Sequence, residues 1–322
     1  MDGPGFYGTG KTMYIGAGGW SYFKVPEQDP LTAYAKAFDF VEVNSTFYTH
    51  PSLEMVRSWR QKVSDDFMFS VRCHRDLTHK NLLSPTNENC EILARSLRIC
   101  HELKAEILHI QTPPSFDPDE KLKDIRDLFS SIDLGKVKPA WEIRGRMTQA
   151  TSDLMRDTGM IHCTDISKEM PSTDSDILYT RLFGHGVHNL YQFDDAELLD
   201  IDSKIVGKNI KKAYLTFHGA RMYKDAARLK IFRKNGVFPN ITQTTGLDSL
   251  RSVIEEDAKF PATKQELIEK QGWKVFDLAE NKHVHAGVLL ETLPDGKYAT
   301  IEEVLGALKR EQTILEHIFH GF

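Results

Sequence analysis

The 322-residue chain carries 41 Lys and Arg against 46 Asp and Glu, a formal charge of −5, and is 40% hydrophobic and 27% charged. That balance belongs to an ordinary globular protein: it holds no apolar run of membrane-spanning length and argues against broad attraction to nucleic acid, while leaving room for a local basic pocket. The length accommodates one α/β domain of about 250 residues and a small appendage.

The first twelve residues, MDGPGFYGTGKT, lack the apolar core and cleavage-type ending of an export signal, so a flexible leader and a cytoplasmic location are expected. Gly5, Gly10, Lys11 and Thr12 match the phosphate-loop spacing GxxxxGKT. Such a loop needs a strand before it and a helix after it, yet four residues precede Gly5 and a β-patterned MYIGAGG follows Thr12, so no nucleotide cofactor is expected.

From residue 13 the chain alternates short apolar strands with helix-like stretches. The strand candidates are MYIGAGGW, FVEVNSTFY, FMFSVRCHRDLTH, AEILHIQTPPSF, KPAWEIRGR, MIHCTDIS, ILYTRLFG and AYLTFHGAR. Between them, PSLEMVRSWRQKV, NENCEILARSLRICHELK, DEKLKDIRDLFSSI and DDAELLDIDSKI place apolar residues near the 3.6-residue period, with acidic residues early in each run. Eight β/α repeats predict a TIM-type parallel barrel over 13–235, with its chemistry where the strands end. Pro113-Pro114 and Gly184 with Gly186 then mark loops on that functional face.

Strand alternation puts Phe40, Glu42 and Asn44 on one face and Ala140, Glu142 and Arg144 on another, so two carboxylates approach one mouth. If one carboxyl is raised by burial while the other stays ionised, Glu42 and Glu142 supply an acid and a base. The alternative is that each forms a buried ion pair with Arg72, Arg144 or Arg181. Those three arginines end strands and suit an anionic ligand through bidentate hydrogen bonds. Trp20 and Tyr22, beside Gly16, Gly18 and Gly19, can stack on a sugar or base or simply anchor the first loop. Asn44, His79, Gln111 and His218 complete the candidate binding residues, and Asp165 is a third candidate catalytic carboxylate. Asp165 and His162, with His74, His79 and His218, leave a divalent metal open, although no spacing among them is a recognised metal motif. Cys73, Cys90, Cys100 and Cys163 show no paired spacing and read as structural thiols.

The motifs GAGGWSYF, YAKAFDFVEVNSTFY, FMFSVRCHRDLTH, HIQTPPSF and WEIR, in that order, resemble the YecE-like family, domain of unknown function 72, over residues 13 to 230. The resemblance implies a TIM-type barrel with a rim pocket and no particular reaction. Three positions depart from the family pattern: Gly145 where a histidine follows the fifth strand, Phe183 in place of the histidine of RLHG, and Phe217-His218-Gly219 in place of FNN. Roles resting on those family residues do not carry over, and His185 and His218 are the neighbouring substitutes.

After Lys234-Asn235-Gly236 the repeat ends. VFPNITQTTG reads as a linker, and 236–322 as a small, mainly helical domain with helices at LDSLRSVIEEDAK, TKQELIEKQG and TIEEVLGALKREQTILEHIF. Thr300 and Glu303 have capping-box spacing. Docking of a protein partner or a lid role is expected there.

Together these features predict a barrel enzyme that hydrolyses an anionic, phosphoester-containing substrate, nucleic acid included, with Glu42 and Glu142 in acid/base roles and the arginines holding charge. A carbohydrate hydrolase or isomerase and a noncatalytic sensor of a phosphorylated metabolite or nucleic-acid end are the alternatives.

Overall fold

The computed structural model describes residues 11–206 and 209–319, of which 312–319 as backbone only. The chain forms two compact units, one of residues up to Phe183 with Ile201–His218 and Met222–Ala227, the other of Gly184–Asp200, Gly219–Arg221 and the residues from Arg228 onward. Among the described residues, no helix is long and apolar enough to cross a membrane.

The first unit holds β1 (Thr12–Ala17), β2 (Phe40–Val43), β3 (Met68–Arg72), β4 (Ile107–Thr112), β5 (Lys138–Ile143), β6 (Ile161–His162), β7 (Ile177–Leu182) and β8 (Lys212–Phe217). All eight expected strands are present. They form one parallel sheet in the order β6-β5-β4-β3-β2-β1-β8-β7, rolled into a nearly closed TIM-like barrel. The crossover helices are α1 (Pro30–Ala37), α2 (Leu53–Gln61), α3 (Asn87–Leu103), α4 (Leu122–Ser130), α5 (Gln149–Thr158) and α6 (Asp195–Val206), and α7 (Met222–Asn235) follows β8; the start of α6 and the end of α7 belong to the second unit. Side chains that cap orphan backbone N–H groups set several starts: Asp29, Ser52, Thr86 and Thr148 each accept from the residue three positions on.

The expected alternation fails once, because 163–176 between β6 and β7 contains no helix. This stretch includes Pro171, Ser172, Thr173, Asp174, Ser175 and Asp176, turn formers without an apolar period. The barrel seam lies here too. A bridge at Thr164 and Thr180 is reinforced by side chains: Thr180 Oγ1 donates to the Thr164 carbonyl at 2.7 Å, and Asp165 Oδ2 accepts the Phe183 N–H at 2.9 Å.

The interior has two levels. Towards the strand starts, Phe40, Ile107, Ala140, Ile161, Cys163, Tyr179 and Tyr214 pack as a buried plug, with Tyr14 stacked on Tyr214 at 5.0 Å. Each large side chain here contributes about 1.5–3 kcal/mol by leaving water. One pleat further along the same strands, the inward positions become Glu42, Ser70, His109, Glu142, Arg181 and Thr216, all buried except the partly exposed Glu142. Cys73, Cys100 and Cys163 are buried free thiols, in keeping with structural roles. Lys11 of the phosphate-loop match donates to the Ile205 and Val206 carbonyls at the end of α6, and Thr12 starts β1; Gly5, Gly10 and the rest of the expected leader up to residue 10 lie outside the described residues.

The second unit gathers α8 (Gly246–Ile254), α9 (Lys264–Gln271), α10 (Gly287–Leu290) and α11 (Ile301–Phe319) with two antiparallel pairs: β9 (Ala262–Thr263) with β12 (Lys297–Tyr298), and β10 (Val275–Ala279) with β11 (Lys282–His285). Their core includes Leu250, Ile254, Phe276, Leu290, Val304 and Leu308. The stretch read as a linker is tied down, since buried Asp277 accepts the Ile241 and Thr242 N–H groups at 2.8 and 2.7 Å. A full capping box forms at Thr263 and Glu266; at the expected Thr300 site, Glu303 bonds the Ala299 N–H instead of the Thr300 N–H.

Candidate functional site

The β/α design delivers inward side chains to the strand ends, where Glu42, Arg72, His109, Gln111, Glu142, Arg181 and His218 meet. Arg181 is the hub. Its Nε and Nη2 lie 3.3 and 3.2 Å from Glu42 Oε1, and its Nη1 donates to Glu142 Oε2 at 2.6 Å and contacts Gln111 Oε1 at 3.2 Å. Tyr179 Oη donates to Glu42 Oε2 at 2.5 Å and lies 2.9 Å from Ser70 Oγ. His109 Nε2 is 3.1 Å from Glu142 Oε2, and Arg144 Nε donates to Glu142 Oε1 at 2.9 Å. The ion-pair reading of both glutamates therefore holds, with Arg181 as the shared partner.

This arrangement sets the ionisation of both glutamates. Burial alone would raise the Glu42 carboxyl; Arg181, backed by His109, His218 and Arg72, overrides it and brings it down to about 2. Burial opposes ionisation of Glu142 too, but Arg181, His109 and Arg144 hold it well below the usual range. Both are carboxylates at neutral pH, so neither is the proton donor of a pair. Glu42 is also sealed, with 0% exposure, whereas 14% of the Glu142 side chain is exposed. Burial and the nearby Arg181 hold His109 and His218 below the usual histidine value, which leaves both neutral near pH 7, so they add positive charge beside the glutamates only as pH falls.

Arg72 differs from Arg181. Its Nη2 donates to Gln111 Oε1 at 2.6 Å and its Nη1 lies 3.3 Å from Asn44 Oδ1, both neutral amide oxygens. Its buried Nε has no hydrogen-bond partner, and the guanidinium sits 3.7 Å over the Phe47 ring. Among the described residues, no carboxylate lies within ion-pair distance of it. Burial and repulsion from Arg181 pull its pKa down to about 10. Three guanidinium groups therefore face two carboxylates, and the surplus charge lies towards Arg72 and the 43%-exposed Arg144. His79 stands at the same rim, edge-on to Phe47 at 5.3 Å and held low by its burial and by Arg72 and Arg144.

Other sequence candidates lie elsewhere. Asp165 bonds Ser167 and the Phe183 N–H, so it is a seam residue rather than a partner of the glutamates. Trp20 packs edge-on against Trp59 of α2 at 5.3 Å, the anchoring role, while Tyr22 is 82% exposed. Gly18 earns its place by close approach: a Cβ there would fall 2.2 Å from His218 Cε1 and 2.7 Å from Asn44 Nδ2. Phe183 and His218, two of the family departures, stack at 4.6 Å. His109, Tyr179 and Phe47 escaped the sequence reading, although the period of two ran from Gln111 back to His109 and from Arg181 back to Tyr179.

The five residues considered for a metal are not gathered among the described residues. His162 accepts the Ser172 N–H, and His74 is bonded to the Tyr48 carbonyl. His109, Glu142 and Cys163 do bring ligand atoms within 4.8 Å of one another. That trio fits a cation poorly, because Arg181 holds the same Glu142 oxygen and burial pushes the Cys163 thiol far up.

The sequence model described as "Protein of unknown function DUF72" matches residues 14–235. The chain belongs to the DUF72 family. Within this family it is 31% identical over 103 residues to the UPF0759 protein YecE of Escherichia coli K12, a stretch covering 31% of this chain and 33% of that protein. It is 24% identical over 168 residues to the UPF0759 protein YunF of Bacillus subtilis, covering 47% and 59%. These matches thus span less than two thirds of either relative. A crystal structure of a DUF72 family protein from Enterococcus faecalis superposes with a TM-score of 0.55 at 14% identity, covering 69% of this DUF72 chain and 94% of that one, a likeness of fold.

Proposed function

We propose that the barrel mouth binds an anionic, phosphoester-type substrate and hydrolyses it, with Arg72 and Arg144 holding the anion and Glu142 accepting a proton. The observation that carries this reading is the state of Arg72: a largely buried guanidinium hydrogen-bonded to amide oxygens, with Glu42 and Glu142 acting on it only from beyond ion-pair distance and one buried N–H unsatisfied. A buried charge without a direct ion-pair partner is costly, and a phosphate or carboxylate oxygen relieves that cost through charge-assisted hydrogen bonds. Asn44 and Gln111 fix the guanidinium plane, which pre-orients it for a bidentate partner. Glu142, the accessible carboxylate, takes the base role, and its depressed pKa makes it a weak base. Positioning and arginine electrostatics then supply most of the rate.

Saturation of both glutamates by Arg181 favours a second reading, a noncatalytic sensor of a phosphorylated ligand. Thermal unfolding with inorganic phosphate, alongside turnover of aryl phosphate mono- and diesters, tests both. Phosphate should stabilise the wild type by mass action and leave Arg72→Met unaffected. Glu142→Gln should keep the phosphate response and lose turnover. Stabilisation that survives Arg72→Met refutes the anion site, while Arg72-dependent binding without turnover of any ester leaves the sensor.

A further inference from the structure

The helix missing between β6 and β7 leaves a cavity of about 550 Å³ at the strand starts, the end of the barrel away from the mouth. That volume lies inside the range of small-molecule sites, about 300–1,000 Å³. Met170, Leu178 and Ile210 contribute apolar surface, and His162, Thr173, Asp174 and Asp176 contribute polar groups. None of these residues belongs to the mouth.

Two side chains indicate what the cavity accepts. Thr173 is only 8% exposed, lines the cavity, and its buried Oγ1 has no hydrogen-bond partner. A buried hydroxyl left without a partner behind a cavity wall is a group that a ligand displacing its cover would satisfy. His162 receives the Ser172 N–H on Nδ1 at 3.0 Å, which places the ring proton on Nε2. Burial lowers its pKa to about 4, so the ring stays neutral at physiological pH and does not repel a cation. At the entrance, Asp176 is 3.4 Å from Lys211, whereas Asp174 has no ion-pair partner among the described residues. The entrance therefore carries a negative charge without an ion-pair partner, beside a lining of mixed polar and apolar surface.

We propose that this cavity is a second binding site, for a small organic amine whose ammonium group meets Asp174, whose apolar part lies along Met170, Leu178 and Ile210, and whose polar substituent reaches Thr173. Saturation-transfer NMR on the full chain, with benzylamine as cationic probe and benzyl alcohol as its neutral isostere, tests it. Benzylamine should bind more tightly than the alcohol. Asp174→Asn should weaken benzylamine about fivefold, the size expected of an exposed charge pair, and leave the alcohol unchanged. 2-Aminomethylphenol, which adds a hydroxyl, should lose affinity on Thr173→Val, with folding checked by circular dichroism. Arg72→Met should leave all three ligands unaffected, which separates this site from the mouth. No benzylamine signal, equal binding of amine and alcohol, or indifference to Asp174→Asn would each overturn the proposal.

Discussion

Replacing Glu42 by Gln tests the centre of the barrel directly. The carboxyl is fully buried, and its pKa falls from an ordinary 4.5 to about 2 on folding, which contributes about 3 kcal/mol at neutral pH. For a group depressed on folding, that contribution is complete above the unfolded value and is lost as pH falls from 4.5 towards 2. Gln retains an acceptor for Tyr179 but not the charge facing Arg181. The variant should therefore lose about 3 kcal/mol near pH 7, with the gap to wild type narrowing below pH 4.5 and closing at about pH 2. Arg181→Met should cost more at neutral pH, about 3–5 kcal/mol or above, because two carboxylates lose their shared cation. Urea unfolding followed by the fluorescence of buried Trp141 across this pH range is the assay. A Glu42→Gln variant as stable as wild type at neutral pH, or a gap that does not change with pH, would refute an ionised, Arg181-paired Glu42.

Further outcomes follow from particular contacts. Gly18→Ala should cost about 1–3 kcal/mol and weaken the phosphate response, because the new methyl group collides with His218 and Asn44; thermal unfolding with and without phosphate checks both. His162 is held by burial at about 4 against an ordinary 6.5, so its contribution is complete above pH 6.5 and lost as pH falls towards 4; His162→Gln should flatten the stability profile in that window. Asp165→Ala should speed amide exchange at Phe183 and Ser167, whose N–H groups it accepts, and leave β2 and β3 protected.

Much of the barrel was legible because strand alternation is a local property. Period-two placement put Glu42 inward from the flanking valines, and the same rule placed Glu142 and Arg144 towards the mouth. The ionisation states were not legible, since they depend on which of three arginines reaches which carboxylate, a distance between strands remote in sequence. His109 and Tyr179 looked like ordinary strand residues until the register brought them beside those carboxylates. Asp165, a catalytic candidate from its place at a strand end, also bonds across to the end of β7, a contact between strands that the local pattern does not encode. The strands β10 and β11 were hidden because VFDLA and KHVH are short and mixed in character, and their pairing rests on contacts the local pattern does not encode.

The lower plug and the upper charged level together make the barrel a bowl with a closed base. Glu42 and His109 are inaccessible and Arg181 nearly so, so anything arriving from solvent touches strand tips and the segments that follow them, never the barrel's middle. Selectivity and stability are thereby assigned to different residues of the same strands. The outer ones can be exchanged for new ligands while the buried level keeps its ion pairs and the cylinder keeps its form.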